Sequence, residues 1–320
     1  MAETIISGVN KPLSPIVFGT AQLTDTARSR QLLDDVYSCG CRTFDTARAY
    51  AEGQSEICLG RWLRDSGVSR TVTIITKCGH PAQRSRLRYC DLIYDLEASA
   101  EALGTDRFEL VLLHRDDPRI PVDEIVHTVN SISRTHNVGA FGVSNWGVDR
   151  LSAAQQYAAT RGLDGFRLSS AQFSLAVWTA EPWPGCKSIA GPCKAEDREW
   201  YKATQLPFMA WSSLAGGFFS ETGTNSNGSR GSAHRAKDVY RALENLERRR
   251  RAATLGEKKG ATTPQIALAY VLSQPLNIVA AISTHNVSHV QENLRAVDVE
   301  LSDAERRWLN LEIDDPSDDH

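Results

Sequence analysis

Four ionisable side chains stand at or just beyond the ends of short apolar runs, and their types complement one another. Asp45 follows Arg42-Thr43-Phe44, Lys77 follows Val72 to Thr76, His114 follows Leu110 to Leu113, and Tyr50 lies five residues beyond Asp45. A phenol is a weak acid, with an ordinary pKa of about 10, and a neighbouring ammonium lowers that value by stabilising the phenolate. Lys77 would supply the ammonium, and Asp45 would keep it charged and oriented. A neutral His114 would hydrogen-bond a substrate oxygen. A carbonyl between Tyr50 and His114 would be polarised and then protonated. No side chain supplies a hydride, so a nicotinamide would have to lie beside this set to complete a reduction. Taken singly, each residue has an ordinary use: an Asp at a strand end caps a turn, and a Lys or His is exposed or hydrogen-bonded. The set gains weight because its members recur at three successive strand ends, which rests on the strands themselves.

Eight apolar runs read as strands: Ile16 to Phe18, Arg42 to Phe44, Val72 to Thr76, Leu110 to Leu113, Ala140 to Val143, Leu168 to Phe173, Phe208 to Trp211 and Ile278 to Ile282. Their length and β-branched or aromatic content favour strand over helix. Between them, Ser29 to Tyr37, Asp91 to Leu103 and Val122 to Ile132 carry apolar residues at helical spacing, and Gly104 and Gly139 stand where a chain would leave a helix. A further helix spans Asp303 to Leu311. Alternating strands and helices predict a parallel sheet. The repeat number and length favour a single (β/α)8 barrel domain over residues 1–320 rather than an open doubly wound sheet. The first run is followed by Gly19-Thr20-Ala21-Gln22-Leu23, not by the G-x-G-x-x-G of an open dinucleotide-binding sheet.

Two connections stand out. The segment from Val177 to Ala195 carries Trp178 and Trp183, read as an apolar lid over the substrate, and the 212–277 connection contains the Gly/Asn/Ser-rich stretch Thr222 to Ser229, read as a mobile loop. The charge run Glu247 to Arg251 reads as a solvated helix face. With 320 residues, 23% of them charged, and a net charge of −3, the composition calls for no nucleic-acid or membrane partner. The N-terminal residues lack a secretory pattern, and seven cysteines without a C-x-x-C pair suit a reducing, cytoplasmic setting. No histidine cluster has metal-site spacing.

The run from Gly40 to Glu56, continuing to Leu59-Gly60, resembles the signature of the aldo-keto reductase family, as do Ile75-Thr76-Lys77 and Leu112-Leu113-His114-Arg115. The resemblance extends from Phe18-Gly19-Thr20 to Glu292-Asn293-Leu294. It implies a (β/α)8 barrel binding NAD(P)H at its rim, with a catalytic tetrad on Asp45, Tyr50, Lys77 and His114. It also implies that Ser144, Asn145 and Gln172 hold the nicotinamide carboxamide, that Trp211 stacks on the ring, and that Ser212, Leu214 and Gly216 line the pyrophosphate. Glu292 and Asn293 are similar to the pair that contacts adenine.

Around the expected 2′-phosphate the chain departs from the family pattern, offering Ser283, Thr284, His285 and His289 where Lys or Arg often stand. NADPH is therefore expected as cofactor with a weak preference that grows as the imidazoles protonate, NADH remaining usable. Substrate selection falls to the Trp-rich connection and to the rim near Leu23 and Arg48. The expected reaction is reversible reduction of a small-molecule aldehyde or ketone to an alcohol. The alternative is a cofactor-binding regulatory subunit on the same barrel, and a more remote one is a lyase forming a Schiff base on Lys77.

Overall fold

Successive side chains on a strand point to opposite faces, and in this chain that alternation separates two cores. The computed structural model describes residues 3–81, 84–220 and 238–317. Eight parallel strands close into a barrel in chain order: β1 (Ile16–Gly19), β2 (Thr43–Asp45), β3 (Thr73–Cys78), β4 (Phe108–Leu113), β5 (Val138–Ser144), β6 (Ser169–Gln172), β7 (Phe208–Trp211) and β8 (Ile278–Ile282). The barrel closes where Ile16, Val17 and Phe18 pair with Ala280, Ala281 and Ile282. Val17, Ile75, Leu110, Leu112, Ala140, Leu168, Met209 and Val279 fill the interior, whereas Phe44, Val111, Leu113, Phe141, Val143 and Ala210 face the helices.

The helices surround this barrel: α1 (Ala27–Ser38), α2 (Gln54–Ser66), α3 (Tyr89–Leu103), α4 (Val122–Thr135), α5 (Val148–Arg161), α6 (Ala195–Thr204), α7 (Leu243–Lys259), α8 (Thr263–Leu272), α9 (Val287–Leu294) and α10 (Asp303–Leu309). Among the described residues no helix is long and apolar enough to cross a membrane.

Several boundaries differ from the sequence expectation. β2 includes Asp45, and β3 runs on through Lys77 to Cys78, so two of the four chemical residues are strand residues rather than loop residues. The 212–277 connection holds α7 and α8, and the Trp-rich connection ends in α6. The stretch Thr222 to Ser229 lies outside the described residues. Gly104 does end a helix, with φ of 67°, but Gly139 lies inside β5. A Cβ on Gly139 would come within 2.3 Å of the Gly8 carbonyl oxygen, because the N-terminal segment passes beneath the barrel. That segment pairs Thr4 with Leu13 and sends Ile6 and Leu13 into the barrel interior.

The run Glu247 to Arg251 is not a uniformly solvated face, because Arg248 and Arg251 are buried. Arg251 donates to the carbonyls of Trp308 and Ile313, both at 2.7 Å, and stacks over the Trp308 ring.

Candidate active site

The same alternation that fills the barrel carries the chemical residues to its open end. Asp45 shares a face with Thr43, Lys77 with Ile75, and His114 continues the inward row of Leu110 and Leu112. Ser144, Gln172, Trp211 and Ser283 hold the corresponding parity at the ends of β5, β6, β7 and β8. In a parallel barrel these carboxyl-terminal strand ends form one rim.

Lys77 is the hub. Its ammonium donates to Asp45 Oδ1 at 2.5 Å, to the Thr46 carbonyl at 3.0 Å and to Tyr50 Oη at 2.9 Å. An ammonium has three donors, so each is used. Tyr50 reaches Lys77 because the chain turns sharply after it: Ala51, Glu52 and Gly53 take φ of 47°, 56° and 89° in succession. Such left-handed backbone favours glycine, and a Cβ on Gly53 would also meet Arg48 Nη1 at 2.1 Å. The Tyr50 and His114 rings meet edge to face with centroids 5.6 Å apart, and His80 also packs on His114, with centroids 4.6 Å apart.

Burial opposes charge throughout this cluster. It acts against the Lys77 ammonium, but Asp45 and Tyr50 outweigh it and hold Lys77 above the usual lysine value. Burial also works against the Asp45 carboxylate, and Lys77 offsets part of that cost. The expected lowering of the Tyr50 pKa does not occur. Burial raises the phenol, and Lys77 pulls it back without reversing the shift. His114 is held well below its ordinary value by burial, reinforced by Lys77, His80 and Arg115, and is therefore neutral near pH 7. Its Nδ1 is buried without a hydrogen-bond partner among the described residues.

The residues carried over for a nicotinamide cofactor fall into two groups. Ser144, Asn145 and Gln172 are buried together at the rim. Asn145 takes φ of 61°, donates to Ser144 Oγ at 2.9 Å, and accepts from the Lys187 amide at 3.2 Å. Gln172 donates to Ser174 Oγ and accepts from Ser188 Oγ. Trp211 is half-buried, lies 6.0 Å from Trp178, and leaves its indole nitrogen unpartnered among the described residues. Beyond it Ser212, Ala215, Gly216 and Gly217 take positive φ, making a tight loop that includes Leu214.

The second group lies along β8 and α9. Asn293 is buried with Oδ1 unpartnered among the described residues, an acceptor suited to an exocyclic amino group such as adenine carries. Glu292 and His289 border a groove of about 680 Å³ beside α9, together with Lys259 and Arg295. Thr284 Oγ1 accepts the Asn286 amide, Ser283 is exposed, and His285 contacts Gln22 Oε1 at 3.2 Å across the β1 and β8 loops. The amide and hydroxyl donors, together with the orphaned Asn293 oxygen, fit a nicotinamide dinucleotide.

Sequence reading missed His80, Ser174, Ser188 and Asn245. Its one available signal was His80, in the Gly79-His80-Pro81 turn after β3. Leu23, expected at the rim, is a core residue, while Arg48 is half-buried beside Gly53. In the Trp-rich connection Trp178 faces Trp211, but Trp183 is 39% exposed.

Comparison with known proteins adds to this geometry. The sequence model described as the Aldo/keto reductase family matches residues 15–309. The chain is 27% identical to an uncharacterised oxidoreductase, YrpG, of Bacillus subtilis (strain 168), over 97% of this chain and 95% of that protein. It is 26% identical to a 6-dehydroglucose reductase of Agrobacterium fabrum, over 93% of each. The crystal structure of an aldo/keto reductase from Klebsiella pneumoniae in complex with NADP and acetate superposes with a TM-score of 0.70 at 22% identity. It covers 97% of this chain and 95% of that one.

Proposed function

The chain belongs to the aldo/keto reductase family, and from that premise we propose that it reversibly reduces an aldehyde or ketone to an alcohol, with NADPH as cofactor and Tyr50 as proton donor. The observation that carries this reading is the Lys77 ammonium spanning Asp45 Oδ1 and Tyr50 Oη. Because Lys77 donates to Oη, the phenolic proton is left free to point at a substrate oxygen. His114, neutral and edge-on to Tyr50, would donate to the same oxygen. As negative charge develops there, Tyr50 gives up its proton and Lys77 stabilises the phenolate left behind. Asp45 keeps the ammonium in place through the exchange.

A bound nicotinamide would supply the hydride. Ser144, Asn145 and Gln172 would hold its carboxamide, Trp211 would cover its ring, and Ser212, Leu214 and Gly216 would line the pyrophosphate. Glu292 and Asn293 would meet the adenine, with Ser283, Thr284, His285 and His289 near the ribose phosphate. NADP in the Klebsiella structure supports this cofactor, and NADH would serve less well. The completeness of the charged hub favours an enzyme over a purely regulatory subunit.

The test is to follow NADPH absorbance with a panel of aldehydes and ketones, and NADP with the matching alcohols. Cofactor turnover with at least one pair is expected. No turnover with any of them would overturn the assignment.

A further inference from the structure

Arg115, the residue after His114, is half-buried at the end of β4, yet no carboxylate among the described residues answers its charge. One guanidinium nitrogen, Nη1, donates to the His114 carbonyl at 2.9 Å, and Nη2 approaches Cys186 Sγ at 3.5 Å. Neither partner is anionic. The two carboxylates that follow Arg115 are engaged elsewhere. Asp116 pairs with Arg150 at 2.6 Å, and Asp117 pairs with Arg119 at 2.8 Å and 3.0 Å. Glu181, on the same connection as Cys186, accepts from the Gly185 amide instead. Among the described residues Arg115 forms no ion pair, whereas Asp45, the carboxylate of the hub, is taken by Lys77.

Its two contacts place the guanidinium at the rim, between the backbone of His114 and Cys186 of the Trp-rich connection, the two segments expected to flank a bound substrate. A guanidinium offers five N–H donors in a planar fork matched to a carboxylate. Two are used here, one of them on a weak thiol acceptor. A partly buried cation without a counter-charge is unfavourable, and an anionic ligand would relieve it.

We propose that Arg115 is a specificity-determining residue that anchors a carboxylate on the substrate, so that the carbonyl compounds turned over best are carboxylated aldehydes or ketones. This rests on the carbonyl-reductase reading above. His80 packs on His114 and, with burial and Arg115 both holding its pKa below the usual value, adds a neutral hydrogen-bonding group rather than a repelling charge.

The experiment compares para-carboxybenzaldehyde with its neutral para-carbamoyl isostere in the wild type, Arg115→Gln and Arg115→Lys. Calorimetric binding of benzoate and of benzamide to the NADP-loaded protein is measured alongside. A charge-assisted bidentate contact predicts a preference in kcat/KM for the carboxylate of about 10- to 100-fold, expressed in KM. Arg115→Gln should erase it, and Arg115→Lys should keep part of it, since lysine retains the charge without the fork. Benzoate should bind more tightly than benzamide, and only benzoate should weaken in Arg115→Gln. Equal kcat/KM for the two aldehydes, an equal loss on both in Arg115→Gln, or benzoate binding untouched by that substitution would overturn the anchor. Benzoate binding that depends on Arg115, in a protein that turns over no carbonyl, would keep the anchor and overturn the reductase reading.

Discussion

At the residue scale, the site depends on the way Lys77 divides its three donors among Asp45, Thr46 and Tyr50. Replacing Tyr50 with Phe keeps the ring against His114 but removes the proton. General acid catalysis is worth about 10²- to 10⁴-fold, so kcat should fall by that much while NADPH affinity, read by fluorescence titration, stays near the wild-type value. Near-normal turnover would rule out Tyr50 as the acid. The pH dependence follows from the same groups. On the proposed mechanism Tyr50 must be protonated to reduce, and burial lifts its pKa above the ordinary value of about 10. Reduction should therefore stay level through neutral pH and decline only as pH rises through that raised value. Alcohol oxidation, which needs the phenolate, should climb over the same range. His114 is held well below its ordinary pKa, so no break is expected near about 6.5. A reduction profile that bends there would mean that His114 ionises in the working site.

At the element scale, the connection after β6 is held from a distance. Asn245, in the first turn of α7, accepts from the Val177 amide at 2.9 Å and donates to the carbonyls of Val177 and Tyr240. Thr179 bonds Val239 close by. These bonds set the approach of Trp178 to Trp211. Asn245→Ala would strand buried backbone groups at about 1–3 kcal/mol. It should lower Tm and raise KM for a bulky ketone more than for a small aldehyde. Trp183→Ala, at an exposed position, should do neither. An unchanged Tm for the Asn245 variant would disprove the tether. Little of this was legible in the sequence. α7 carries Arg248, Arg250 and Arg251 within two turns, a pattern that reads as solvated, and its buried contacts come from segments some sixty residues away on either side.

At the scale of the whole molecule, the barrel is closed off by segments outside the alternating units. The N-terminal residues floor its interior, and α10 with the residues after it docks onto α7 through Arg251. Arg251→Met would keep an apolar stem but leave the carbonyls of Trp308 and Ile313 without their donor. Hydrogen bonds to charged groups are worth about 1.5–3 kcal/mol, so the midpoint of urea unfolding should fall measurably. An unchanged midpoint would show that the aliphatic stem alone secures the C-terminal segment.

Local pattern was enough to reveal the strand repeat, and with it the order in which Asp45, Lys77 and His114 arrive at one rim, because inward and outward residues alternate along every strand. Tyr50, which no periodicity marks, entered through its place just beyond Asp45 and its chemistry, and the family motif then added the residues expected around a dinucleotide. Tertiary structure decided the rest. It raised the Tyr50 pKa where the ammonium alone would have lowered it, since burial depends on everything packed around the phenol. It turned part of a charge run inward, and put Gly139 in a strand closely approached by Gly8 rather than at a helix end. It also left Arg115 without a carboxylate partner among the described residues. Desolvation and long-range pairing are sums over neighbours distant in the chain, and a local pattern carries no record of which neighbours those are.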